Sequence, residues 1–177
     1  RPLGGDSTLT TEQDTLEERK QRAADWFREL RDLICQALEE LEDQIGPPND
    51  KGAAGRFERT SWRRTDEDGA GEGDGGGGEM SVMRGRVFEK VGVNISTVHG
   101  EFAESFHKEI PGAEDDPRFS ACGISLVAHM CSPLVPAVHM NTRFIVTSRA
   151  WFGGGGDLTP IYPVDEDTAD FHAAYKA

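Results

Sequence analysis

The chain has 177 residues, with 19 Lys plus Arg against 32 Asp plus Glu, and a formal net charge of −13. That length suffices for one domain with a buried core; the acidic balance excludes nucleic-acid binding by general phosphate attraction, and an anionic substrate would need local cations to hold it. The three cysteines, Cys35, Cys122 and Cys131, are an odd count without a C-x-x-C pair, which argues against a disulfide framework and for a reducing, cytoplasmic setting.

Residues 1–14 read as a flexible lead, without the charged-then-apolar order of a secretory signal and without an initiator Met. Thr15 and Glu18 have the spacing of a capping box, which predicts a helix from there to about Ile45. Its apolar positions recur at helical spacing through Ala23, Trp26, Phe27, Leu30, Leu33, Ile34, Ala37, Leu38, Leu41 and Ile45, and Cys35 is expected as a packed thiol. Gly46-Pro47-Pro48-Asn49 stops it. Phe57 to Arg64 has the composition of a short strand. Residues 66–78, acidic and rich in glycine, are expected as a loop, disordered for want of apolar area to bury. They are not a phosphate loop, because the G-x-x-x-x-G-K-[ST] order is missing.

From Met80 the pattern turns to β, with strands expected at residues 83–88 and 91–98. Residues 101–108 read as a short helix or turn, and 111–117 as an acidic connection. Residues 119–129 and 137–147 read as two strands joined by a connection carrying Pro133 and Pro136, and residues 151–160 as a glycine-rich turn or bulge. Asp165, Glu166 and Asp167 open a helix with acids in its first turn. The sequence stops at Ala177 inside that helix, so more protein is expected to follow. No apolar run reaches the length of a membrane span, and there is no internal repeat.

Strand side chains alternate faces, so Ser125, Val127 and His129 share one side of the first of the two joined strands, and His139, Asn141 and Arg143 one side of the second. A short connection makes the pair antiparallel, and coincident faces would present Ser125, His129, His139, Asn141 and Arg143 together. One reading is a solvated sheet face. The other is an anion site: Arg143 offers a planar fork to a carboxylate, Asn141 and Ser125 further hydrogen bonds, and a His a proton near neutral pH. His129 and His139, with His172 and nearby Cys131, supply enough donors for a metal, although their spacing matches no zinc motif. Asp157, after the glycines 153–156, either caps local amides or faces a ligand that bare backbone lets approach.

The blocks Gly85-Arg-Val-Phe-Glu-Lys-Val-Gly-Val-Asn-Ile-Ser96 with Val98-His-Gly-Glu101, Gly123-Ile-Ser-Leu-Val-Ala-His129, Pro136-Ala-Val-His-Met-Asn-Thr-Arg-Phe144 and Trp151-Phe-Gly-Gly-Gly-Gly-Asp-Leu-Thr-Pro160 resemble the oxygen-dependent coproporphyrinogen III oxidases, from about Trp26 to the end of the chain. The resemblance implies an α+β fold, a large flat antiparallel sheet flanked by helices on both faces, with residues 15–177 as the amino-terminal part of a single domain. It implies a homodimer that converts two propionates of coproporphyrinogen III to vinyl groups in haem biosynthesis, with dioxygen as co-substrate, no organic cofactor, and a divalent metal such as manganese claimed for some bacterial members and denied for others. Carried over by position, Ser125, Asn141, Thr142 and Arg143 bind substrate, His139 donates a proton, Asp157 faces the pyrrole N–H groups, and His129, His139 and His172 are the implied metal ligands. His139, Asp157 and Arg143 are thus the catalytic candidates. The family's carboxy-terminal portion has no counterpart here. A metal-binding hydrolase domain and an inactive tetrapyrrole-binding fragment are the alternative readings.

Overall fold

The computed structural model describes residues 14–45, 52–64, 75–105 and 107–176. The expected lead up to residue 13, the helix stop at 46–49 and most of the acidic loop lie outside them. The elements in chain order are α1 (Leu16–Gln44), β1 (Glu58–Arg63), β2 (Gly76–Met83), β3 (Phe88–Glu101), a single 3-10 turn at His107–Glu109, β4 (Arg118–Met130), β5 (Ala137–Val146), β6 (Ala150–Thr159) and α2 (Asp165–Lys176). The six strands pair antiparallel in sequence order. An α+β fold, an antiparallel sheet with helices, is therefore what the chain forms.

Helix α1 starts at the capping box, where the Thr15 amide donates to Glu18 Oε2 at 2.7 Å and the Glu18 amide to Thr15 Oγ1 at 3.3 Å. Ala23, Phe27 and Cys35 of α1 are buried against β3 and β4, beside Val91, Val93, Cys122, Ile124 and Phe144. Burial pushes the thiols of Cys35 and Cys122 up from the ordinary cysteine range. The packing stripe of the helix is not purely apolar. Trp26, Leu33 and Leu41, apolar positions of the periodic pattern, remain about half exposed, while Arg31 and Glu42 are buried.

Each buried charge has partners, which is what burial requires. Arg31 reaches Glu79, donates to Asp32 at 2.7 Å and lies 3.5 Å from Ser81 Oγ. Glu42, fully buried, accepts through Oε2 from the amides of Gly55 at 3.1 Å and Arg86 at 2.7 Å, and through Oε1 from those of Val87 at 2.8 Å and Phe88 at 3.0 Å. Burial alone would push its carboxyl up; the four amides more than offset this and hold it below the usual Glu range.

Those bonds also explain one departure from the expected elements. The run 83–88, expected as one strand, is broken at 84–87 into the hairpin between Met83, the end of β2, and Phe88, the start of β3, where the amides of Arg86, Val87 and Phe88 turn to a carboxylate on α1. Two glycine-rich segments depart the other way. Gly76, Gly77 and Gly78, at the end of the expected loop, open β2 by pairing with β3, and the expected turn at 151–160 is the strand β6, paired with β5 from Ala150 to Thr159. In both, the ladder supplies the order that side-chain pattern does not.

Candidate active site

The register assigns every strand residue to a face. One face carries Val91, Val93 and Ile95, Cys122, Ile124 and Leu126, then Thr142, Phe144 and Val146, and lies under α1. The opposite face, across which no helix packs among the described residues, is polar. Its middle row runs Asn94, Ser125, Asn141, Gly155, because Asn94 pairs with Ser125, Ser125 with Asn141, and Asn141 with Gly155. The row to one side holds Ser96, Gly123, Arg143 and Gly153; the row to the other holds Gly92, Val127, His139 and Asp157.

Ser125, His129, His139, Asn141, Arg143 and Asp157 thus share one face. Thr142 does not join them. It pairs with Ile124 and Gly154 on the α1 side, as strand alternation requires of a residue between Asn141 and Arg143. A side-chain role for Thr142 in a site on the open face is excluded by that placement.

His139 Nδ1 lies 2.8 Å from Asp157 Oδ1, and Thr159 Oγ1 donates to the same oxygen at 3.1 Å. The His139 bond holds the Asp157 carboxyl below the usual range; desolvation opposes it, and the Thr159 bond adds to the lowering. This orients the imidazole and leaves its second nitrogen for a ligand. Arg143 is exposed and has no acidic partner among the described residues. Its stem lies across Gly123, where an added Cβ would come within 2.8 Å of Arg143 Cγ.

The implied metal ligands do not converge. The His129 and His139 rings are 5.9 Å apart and inclined at 76°, His139 Nδ1 is engaged by Asp157, and His172 stands on α2, lining with Gly156, Asp157 and Phe171 a separate hollow of about 210 Å3. Among the described residues, no three His, Cys, Asp or Glu side chains are grouped to hold a metal ion. The described residues do not make a metal centre.

Three residues that the motifs did not single out border the same face. Asn94 and Ser96 flank Ser125 and Gly123 on β3, and Trp62 of β1 joins them around a hollow of about 170 Å3 lined also by Arg143. Asn94 Oδ1 is buried without a hydrogen-bond partner. The polar alternation of Asn94 and Ser96 between Val93, Ile95 and Thr97 was the available signal. What it could not reveal is that β3 pairs with β4 in the register that sets Asn94 opposite Ser125.

The family model for coproporphyrinogen III oxidase matches residues 22–177. The chain is 57% identical over 159 residues to the oxygen-dependent coproporphyrinogen-III oxidase of Rickettsia felis, covering 90% of this chain and 54% of that protein. It is 60% identical over 152 residues to the protein of the same name from Rickettsia bellii, covering 85% of this chain and 51% of the relative. The chain spans about half the length of the curated relatives it matches.

Proposed function

The chain belongs to the coproporphyrinogen III oxidase family, and from that premise we propose that it carries the substrate-facing sheet of an enzyme that oxidatively decarboxylates two propionates of coproporphyrinogen III, giving protoporphyrinogen IX. The observation that carries the reading is one open sheet face with an arginine free of acidic partners among the described residues and, two rows away, a histidine held by an aspartate. In each round a propionate arm, its carboxylate ionised, loses carbon dioxide and the equivalent of a hydride from the carbon next to the ring. Dioxygen accepts the electron pair and, with one further proton, leaves as hydrogen peroxide. The arm becomes a vinyl group and the equation balances with no organic cofactor.

Within that reaction Arg143 binds a carboxylate through its fork, as its exposure and lack of an ion pair among the described residues support. Asn141 and Ser125 add hydrogen bonds from the adjoining row. Asp157, ionised across the neutral range, faces the pyrrole N–H groups and steadies the positive charge that builds on the ring as hydride character leaves. His139, oriented by Asp157, holds or supplies a proton at its other ring nitrogen.

Residues 15–177 are read as the amino-terminal part of one larger domain, supported by the family match and the half-length overlap with relatives. Homodimer formation goes with this reading, supported by the exposed Trp26 and Phe152. A cytoplasmic location goes with it as well, supported by three free cysteines; no helix among the described residues is long and apolar enough to cross a membrane. A second reading, tetrapyrrole binding without turnover, is favoured by the half-length span alone.

Aerobic incubation with coproporphyrinogen III, followed by oxidation and fluorescence detection of protoporphyrin, tests the proposal. Product that forms only with dioxygen supports it. Binding without product selects the second reading, and neither binding nor product overturns both.

A further inference from the structure

On the open face, Trp62 pairs with Gly78, Gly78 with Ser96, Ser96 with Gly123, and Gly123 with Arg143, so five strands contribute one straight row. Its two glycines matter because of what lies over them. A Cβ at Gly123 would come within 2.8 Å of Arg143 Cγ, and one at Gly78 within 3.0 Å of Trp62 Cζ2. The arginine stem and the indole therefore lean inward from opposite ends of the row, each across a strand that offers only backbone. Between them is the hollow of about 170 Å3, floored by Ser96 and Gly123 and flanked by Asn94 and Ser125.

We propose that Trp62 is a further substrate-binding residue: its indole face packs against the methylene segment of one carboxyethyl arm whose carboxylate is held by Arg143. The inference rests on the functional reading above. A hollow of this size takes one arm and excludes a macrocycle. Its shape supplies what such an arm presents in order, a cation for the carboxylate and a flat apolar wall for the methylenes. The arm seated here is not the one that faces His139. Arg143 and His139 are four residues apart on β5, about 13 Å at the rise of a strand. A tetrapyrrole with four arms can place one at each end of that span, with its ring over Ser125 and Asn141. Trp62 thereby acts on binding of a spectator arm, and the reacting arm lies elsewhere on the same face.

The test is binding of coproporphyrin III to the chain, followed by the shift of the porphyrin absorption band, which is independent of tryptophan signal. Trp62→Leu keeps apolar bulk at a partly buried position of an exposed edge strand but removes the flat face; Trp62→Phe keeps a face. Circular dichroism establishes that each variant folds. The expected result is affinity about tenfold weaker for Trp62→Leu and within about twofold for Trp62→Phe. The tetramethyl ester of the porphyrin, which has the same arms without charge, should bind more weakly than the acid to all three proteins, and equal binding of ester and acid by the unaltered chain overturns the seating of a carboxylate at Arg143. Equal affinity of Trp62→Leu and the unaltered chain overturns the role of Trp62 and leaves the functional reading intact. Failure of Trp62→Phe to recover affinity overturns the packing role too. No binding of coproporphyrin III by the unaltered chain overturns both.

Discussion

His139 and Asp157 are directly paired across the β5–β6 ladder, and their side chains meet at 2.8 Å between Nδ1 and Oδ1 on the open face. The Asp157 carboxyl is consequently held below its ordinary value, first by His139, with desolvation opposing and Thr159 adding a further lowering. A depressed acid is fully ionised above the ordinary range, and the bonds it makes are lost only as pH falls through its lowered value. A carboxyl-detected NMR titration is expected to place the Asp157 midpoint below about 3.9, the reference for a free Asp. His139→Ala should return it toward that reference, and Thr159→Val should do so by less. A midpoint in the unaltered chain at or above the reference value would contradict the pairing.

Asn141 and Thr142 are neighbours in sequence on opposite faces, one opposite Ser125 and the other opposite Ile124. In an active protein containing this chain, Asn141→Ala is expected to lower kcat/KM by about ten- to a hundredfold, the cost of a lost hydrogen bond to substrate. Thr142→Val keeps the branched shape on the α1 face and should stay within about twofold. The reverse order of effects would move the site to the other side of the sheet.

The two central strands were legible because their chemistry alternates: Ile124, Leu126 and Ala128 against Ser125 and His129, then Phe144 and Val146 against His139, Asn141 and Arg143. The start of α1 was legible from Thr15 and Glu18 alone, since a capping box is a local interaction. What escaped was everything settled at long range. The strand β6 carries glycine at 153–156, which has no side chain to alternate, so only its pairing with β5 makes it a strand. At Gly156 the crowding is tertiary: an added Cβ would meet Tyr175 Oη of α2 and stand 3.0 Å from the His139 carbonyl oxygen, neither of which a local pattern shows. Glu42 and Arg31 are absent from the apolar pattern of the helix, and apart from Asp32, next to Arg31, the amides and carboxylate that justify their burial are 13 to 48 positions away. Trp62 read only as part of a short strand, and its place beside Arg143 depends on four successive registers.

Glu42 joins α1 to the β2–β3 hairpin through the amides of Arg86, Val87 and Phe88 and to Gly55 beyond the helix. Replacing it with Gln turns an amide NH2 toward these donors and removes the charge that two oxygens shared among four bonds. The expected cost is about 2–4 kcal/mol of unfolding free energy at neutral pH. The carboxyl is held below the usual Glu range, so its contribution is present above the unfolded value and is lost as pH falls through the folded one. Urea unfolding at a series of pH values should therefore show stability of the unaltered chain falling steeply below about pH 4.3, with a shallower fall for Glu42→Gln. Parallel curves would show that Glu42 does not carry the linkage.

Gly123 lies between Ser96 and Arg143 on the open face, and a Cβ there would stand 2.7 Å from the Thr142 carbonyl oxygen and 2.8 Å from Arg143 Cγ. The first contact is with backbone, which moves only if the β4–β5 ladder widens; the second is with a stem that can swing away. Gly123→Ala is expected to cost about 1–3 kcal/mol in stability, in the range of an overpacked site. It should weaken carboxylate binding as well, because the arginine that turns aside no longer points into the hollow. Gly155, on the same face beside Asn141, has nothing within 4 Å of an added Cβ, so Gly155→Ala gives the stability control and should leave the thermal midpoint near that of the unaltered chain. Thermal unfolding of the two variants, with coproporphyrin titration of Gly123→Ala, separates the effects. If Gly123→Ala loses stability but keeps full affinity, then Arg143 does not need to lie across Gly123 to hold its ligand, and the bare backbone there serves strand packing alone.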